Sequence, residues 1–125
     1  WGFNLLELRQ VLVVGALVAR RPAPRVLLAR HLVDGLGRGA RERLWRAARM
    51  MTAGEGGRLY LEFLVRKGDD GYAGRHRAQR RKPARIVAEL KAHGATIVHR
   101  EVLDVEGSGQ RSANPSRVCR LVAEW

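Results

Sequence analysis

Two apolar segments end in side chains that could transfer a proton or orient a substrate. The run RVLLAR (25–30) precedes His31, and GGRLYLEF (56–63) carries Glu62 near its end. An imidazole can accept a proton near neutral pH, and ligands of open α/β sheets lie at the carboxyl ends of the strands. We therefore predict a catalytic site with His31 as general base and Glu62 orienting the acceptor. Strand capping by His31 and an ion pair of Glu62 with an arginine are the alternatives.

Cationic and aromatic side chains near the same strand ends are candidates for substrate binding. Arg30 and Arg66 follow the two strands, and a long basic loop (66–82) comes next. Loops of this length at a ligand edge often act as lids or specificity elements. The predicted substrate-binding residues are Arg30, Arg66, Tyr72, His76 and Arg77, with Tyr72 stacking on a ring and the cations binding a carboxylate or phosphate. A solvated basic loop is the alternative.

Three glycines between the two strands permit a second interpretation. Gly35, Gly37 and Gly39 could form a phosphate loop, and Glu62 lies 23 residues after Gly39, near the spacing of a ribose-binding acid. That interpretation makes the chain a dinucleotide-binding unit. It is weakened because a lone glycine loop is common and because Arg30 and His31 would lie near the middle of the preceding strand.

The charge pattern leaves a third interpretation open. Net charge is +12, and arginine supplies most of it. A basic module that binds nucleic acid or another polyanion is therefore possible, although an arginine-rich coding bias explains the same total. The chain has 3 Trp, 2 Tyr and 2 Phe, and none is interleaved with the basic cluster 75–85 as a stacking platform would need. Nucleic acid is thus possible but not favoured.

The cysteine content, the histidine spacing and the hydropathy pattern indicate whether disulfides, metal sites or membrane segments are expected. Cys119 is the single cysteine, so an internal disulfide and a thiolate metal site are excluded, and we expect a buried, inert thiol. No histidine has a partner at metal-ligand spacing, so we predict no metal. The apolar run 11–19 is shorter than the roughly 20 residues of a membrane span. We expect a cytoplasmic protein without a membrane segment.

The elements that would position these residues alternate along the chain. We predict helices at 4–20, 40–51 and 83–93 and strands at 25–30, 58–66, 95–106 and 117–125. This order predicts a single α/β domain over 1–125. Its sheet would be mostly parallel, with helices on both faces and a C-terminal antiparallel strand pair. The first strand, a short apolar run after prolines, is predicted to be buried.

An ordered set of segments resembles the C-terminal half of class I S-adenosylmethionine-dependent methyltransferases, which are Rossmann-like. The segments are RVLLARHLVDGL, GGRLYLEF, PARIVAELKAHGATIVHREV and SRVCRLVAEW. The resemblance implies the fourth to seventh strands, with the last reversed and inserted between its two predecessors. It also implies S-adenosylmethionine as cofactor and a small-molecule or glycan-type methyl acceptor.

The same resemblance predicts what the chain lacks. The family's cofactor loop and ribose-binding acid belong to the N-terminal half, so the cofactor-binding residues are unknown here. The sequence begins with Trp1 rather than Met, and we expect a truncated domain that is inactive alone. An exposed sheet edge where the missing strands would pair favours self-association.

Overall fold

The computed structural model describes residues 4–65, 80–105 and 116–125. They form an α/β fold with one four-stranded mixed sheet and three α-helices. The elements in chain order are α1 (Leu8–Ala19), β1 (Val26–Arg30), a 3₁₀ turn (Val33–Gly35), α2 (Arg38–Thr52), β2 (Arg58–Leu64), α3 (Pro83–Ala92), β3 (Thr96–Val105) and β4 (Ser116–Glu124). None of the helices in these ranges has the length and apolar character needed to cross a membrane.

The sheet confirms the predicted mixed topology. Its strand order is β1-β2-β4-β3, with β1 parallel to β2 and β4 antiparallel to both of its neighbours. The last strand therefore lies between its two predecessors, and β1, β2 and β3 share one direction. The crossovers through α2 and α3 are long enough to join strands of the same direction.

The core lies between the helices and one face of the sheet. Alternate residues of the strands point to that side, as the period of two requires. The buried residues of this cluster include Ala29, Leu59, Leu61, Phe63, Cys119, Leu121 and Ala123 from the sheet and Leu44, Trp45, Ala48, Ile86 and Leu90 from α2 and α3. Helix α1 extends the layer, because Val11 packs with Ala47 and Met51 of α2. Burial of this apolar surface is the main stabilising term.

Helices on both faces and a fully buried first strand were also predicted, and here the described residues differ. Val26 is 63% and Leu28 66% exposed on the face opposite the helices. Leu27 and Ala29, which alternate with them, pack with the core. We call the uncovered side of the sheet the open face. β1 is apolar on both sides, so its sequence could not indicate which side the described helices would cover.

The turn before β2 leaves no room for a side chain at Gly57. A Cβ atom there would overlap the backbone carbonyl of Thr52, whereas a Cβ atom at Gly39 would meet nothing within 4 Å. We expect Gly57→Ala to lower the free energy of unfolding by about 1–3 kcal/mol, because backbone must shift. Urea denaturation measures the loss. The control Gly39→Ala, in the first turn of α2, should be neutral or slightly stabilising. Equal losses in the two variants would contradict this packing.

Candidate functional site

Parallel pairing brings the predicted catalytic residues together. In the register of β1 and β2, Arg30 lies opposite Glu62. The next residue, His31, donates its backbone N–H to the Glu62 carbonyl oxygen at 2.7 Å. The imidazole Nε2 lies 3.5 Å from the Glu62 Oε1 atom. Arg30, His31 and Glu62 thus form one cluster at the carboxyl end of β1.

Glu62 is held by arginines on both sides. Its Oε1 atom accepts a hydrogen bond from Arg30 Nε at 3.0 Å, and its Oε2 atom accepts one from Arg120 Nε at 2.9 Å. The hydrogen bond from Arg120, followed by that from Arg30, keeps the pKa of Glu62 below its usual range, although partial burial acts the other way. The side chain therefore stays ionised, and the ion-pair role considered for Glu62 is present in the structure.

The ion pairs continue across the sheet. Arg120 Nη1 lies 3.7 Å from Glu101 Oε1 on β3. The four strands thus contribute one residue each to an alternating row, Arg30–Glu62–Arg120–Glu101, which we call the charged row. Arg120 and Glu101 did not stand out in the sequence, because only the register of β4 between β2 and β3 places them beside Glu62.

Sequence reasoning also missed Asp34. This residue lies in the 3₁₀ turn and is only 1% exposed. Its Oδ2 atom lies 3.1 Å from His31 Nδ1, and its Oδ1 atom accepts a hydrogen bond from the Leu64 backbone N–H at 3.0 Å. Burial raises the pKa of Asp34, while the contacts with His31 and Leu64 oppose that rise. The spacing of three residues between His31 and Asp34 was the available signal.

Of the predicted substrate-binding residues, only Arg30 can be placed. Arg66, Tyr72, His76 and Arg77 lie outside the described residues. At the far end of their loop, Arg81 donates from Nε to the Val33 carbonyl oxygen at 3.3 Å and from Nη2 to that of Leu36 at 2.6 Å. Burial lowers the pKa of Arg81. Arg81 is therefore anchored beside the turn that carries Asp34.

The ion pair of Arg41 on α2 with Glu89 on α3 supports the segment that follows the 3₁₀ turn. Arg41, 2% exposed, donates from Nε and Nη2 to the two carboxylate oxygens of Glu89 at 2.9 and 2.7 Å. Its Nη1 atom donates to the Leu36 carbonyl oxygen at 3.0 Å. Trp45 Nε1 adds a hydrogen bond of 3.2 Å to Glu89. This arrangement joins α2, α3 and the segment after the 3₁₀ turn.

A shallow depression of about 280 Å³ lies on the open face next to the charged row. Leu28, Tyr60 and Val122 form its apolar part, and the four residues of the charged row line its polar side. These strands place the three apolar side chains in one cross-sheet line, since Tyr60 pairs with Leu28 on β1 and with Val122 on β4. The depression could accept an apolar or aromatic group.

The three glycines lie in the 3₁₀ turn, at the N-cap of α2 and in the first turn of α2. A Cβ atom at Gly35, Gly37 or Gly39 would meet nothing within 4 Å. Gly37 caps α2 with φ of −66°, a conformation open to any residue. The protein's own packing therefore does not require glycine at these three positions, and the phosphate-loop interpretation stays a prediction. Among the described residues, no group of three or more His, Cys, Asp or Glu side chains could hold a metal ion.

Comparison with known proteins shows a similarity of fold to solved structures. No protein-family model and no curated protein matches the chain. The fold is similar to that of the glycopeptide N-methyltransferase MtfA complexed with (S)-adenosyl-L-methionine, with 12% identity, a TM-score of 0.52, and coverage of 82% of this chain and 57% of that one. A second MtfA structure has 11% identity, the same coverages and a TM-score of 0.48. The chain thus spans little more than half of these proteins, and the likeness is one of fold.

Proposed function

We propose that this chain is the C-terminal portion of a domain that transfers a methyl group from S-adenosylmethionine to an acceptor. The observation that carries the proposal is the place of β4, which runs antiparallel between β2 and β3. The fold likeness to MtfA, an N-methyltransferase solved with this cofactor, supports it. Because the chain covers 57% of MtfA, we propose that polypeptide outside this chain completes the domain.

We propose that the nucleoside part of the cofactor is bound outside the described residues. Asp34 is 1% exposed, and both carboxylate oxygens of Glu62 are bound by arginines, so we propose that neither residue binds a ribose. We therefore assign cofactor binding to the rest of the domain and only the handling of the acceptor to these strand ends.

His31 is the residue that we propose as general base. Its ring is half-exposed and lies between the carboxylates of Asp34 and Glu62. A proton leaving an acceptor O–H or N–H group can pass to Nε2, and the two carboxylates stabilise the imidazolium that forms. The acceptor keeps the electron pair and becomes the better nucleophile for methyl transfer.

The acceptor that we propose is a small molecule or a glycan-type compound. MtfA acts on a glycopeptide, which supports this class. Arg30 remains largely exposed beside His31 and could bind an anionic group of the acceptor. The apolar depression on the open face could hold an attached ring. A cytoplasmic location and self-association through the outer edge of β1 complete the proposal.

We expect His31→Gln, in the full-length protein that contains this chain, to lower kcat for methyl transfer about 10²-fold, because the general base is lost. Release of S-adenosylhomocysteine with a panel of amino sugars, phenols and short peptides measures the rate. His93→Gln, at the end of α3, is the control and should keep kcat. Absence of any methyl transfer in the wild-type protein across the panel, or full activity of His31→Gln, would count against the proposal.

Ligand titrations of the chain itself separate the other functions. We expect neither S-adenosylmethionine nor NAD to bind at micromolar concentrations. Tight binding of NAD that is lost in Gly37→Val would favour the dinucleotide-binding unit. Binding of a labelled oligonucleotide that falls steeply between two salt concentrations would favour the basic module. The described part of the basic cluster speaks against that module, since Arg81 binds backbone carbonyls and Arg85 lies 3.4 Å from Glu89.

A further inference from the structure

His31 has an unusual backbone conformation for a residue with a side chain. Its φ angle is +55°, in the left-handed region, where residues other than glycine are uncommon. Such conformations persist where the surroundings hold them, and they concentrate at functional sites. Here the His31 N–H is bonded to the Glu62 carbonyl oxygen, which fixes the backbone at the end of β1. The ring of His31 lies between the carboxylates of Asp34 and Glu62.

Asp34 contacts that ring from a rigid position. Its side chain is almost completely buried, and one carboxylate oxygen is fixed by the Leu64 N–H at the end of β2. The other oxygen faces His31 Nδ1 at 3.1 Å. The turn that carries Asp34 is itself tied by Arg81 to the strand bridge at Val65. The backbone and ring of His31 and the carboxylate of Asp34 therefore have few alternative arrangements relative to one another.

We propose that Asp34 is a positioning residue that keeps the proton of neutral His31 on Nδ1 and leaves Nε2 as the proton acceptor. The inference rests on the proposed function, in which His31 is the general base. An ionised Asp34 can only accept a hydrogen bond, and Nδ1 is the ring nitrogen that faces it within hydrogen-bond distance, at 3.1 Å. The separation of Nε2 from the Glu62 carboxylate is longer, at 3.5 Å, and both oxygens of Glu62 already accept hydrogen bonds from arginines, so Nδ1 is the nitrogen that donates. When an acceptor O–H or N–H bond breaks, a new N–H bond forms at Nε2. The resulting imidazolium then donates to Asp34 and faces Glu62.

The decisive variant is Asp34→Asn, which has nearly the same shape. Its amide oxygen can still accept the Leu64 N–H bond, and its NH₂ group would then face Nδ1 as a donor. The neutral ring must respond by moving its proton to Nε2. Two-dimensional ¹H–¹⁵N spectra of the imidazole nitrogens, recorded over a series of rising pH until the signals of the neutral ring no longer change, distinguish the two tautomers. The His31 signals are assigned by their loss in His31→Gln.

We expect an Nδ1–H tautomer in the wild-type chain and an Nε2–H tautomer in Asp34→Asn. The control Asp104→Asn, at an exposed ion pair with Arg117, should leave the His31 signals unchanged. An Nε2–H tautomer in the wild type, or the same tautomer in both chains, would overturn the inference. If Asp34→Asn fails to fold, as judged by loss of Leu64 amide protection, the wild-type tautomer alone decides.

Activity separates this inference from the proposed function. In the full-length protein, Asp34→Asn should lower kcat about 10²-fold with KM for the acceptor nearly unchanged. Methyl transfer that proceeds at the wild-type rate in Asp34→Asn would overturn the role of Asp34 and leave the proposed function standing. An Nδ1–H tautomer in a protein that transfers no methyl group would overturn the function and leave the tautomer assignment standing.

Discussion

Glu89→Ala is expected to lower the free energy of unfolding by about 3–5 kcal/mol, the range found when one partner of a buried ion pair is removed. Arg41 would be left 2% exposed without the carboxylate that binds two of its nitrogens. Trp45 would lose the acceptor of its indole N–H at the same time. The cost is therefore that of an unpaired buried charge as well as of lost hydrogen bonds. Urea denaturation followed by tryptophan fluorescence measures it.

The matched control is Glu42→Ala, which removes a carboxylate from an exposed pair with Arg38. Both of those side chains are well exposed, so we expect a change within about 0.5 kcal/mol. The double variant Arg41→Met with Glu89→Ala should lose less stability than the two single losses added together, because no buried charge remains. Strict additivity, or a small loss in Glu89→Ala, would contradict the buried pair.

The same residue predicts a pH dependence. Burial raises the pKa of Glu89, but hydrogen bonds from Arg41 and Trp45 outweigh it, so the folded-state pKa lies below the usual value. The stability that this lowering contributes is present above the unfolded-state pKa of about 4.3 and disappears as pH falls through the folded-state pKa. As the pH is lowered into the acid range, the free energy of unfolding of Glu89→Gln should therefore fall less steeply than that of the wild type.

Phe63→Ala is expected to cost about 3–5 kcal/mol, because it opens a cavity in the middle of the core. Phe63 is completely buried on β2, where it pairs with Cys119 of β4 and faces the helices. Chemical denaturation measures the decrease in the free energy of unfolding. An unchanged denaturant slope would show that the variant exposes the same surface area on unfolding as the wild type. A loss below about 1 kcal/mol would show that this side of the sheet is not the core.

Leu28→Ala is the matched control on the open face. Leu28 is 66% exposed, so its truncation should change stability by no more than about 0.5 kcal/mol. A loss as large as that of Phe63→Ala would mean that the open face is also covered in solution. Repeating the measurement over a range of protein concentrations then tests self-association, because a contact between copies makes stability concentration-dependent.

The element types were largely predictable from local patterns. Gly94, with φ of +82°, ends α3 as expected, and Pro83 begins it. The apolar runs ending at Arg30 and Glu62 became neighbouring parallel strands, so their polar ends met. The reversal of β4 between β2 and β3 followed from the family resemblance and not from periodicity alone.

The partners of these residues were not predictable, because they depend on register and on burial. Arg120 reaches Glu62 across 58 positions of sequence, through the pairing of β4 with β2. In the sequence, Asp34 looks like an ordinary turn residue. Only the folded structure shows that its side chain is buried. Leu27 and Leu28 are identical in type yet lie on opposite faces, and only the packing of the described helices separates them.

Cys119 gives the fold a built-in reporter of breathing motions. It is the chain's single thiol, it lies on an interior strand between β2 and β3, and burial raises its pKa. A maleimide or disulfide reagent can react only with a thiol that has become accessible. Because the Cys119 side chain packs in the core under the helices, modification requires the helix layer to move away from the sheet, so the labelling rate gives the free energy of that opening.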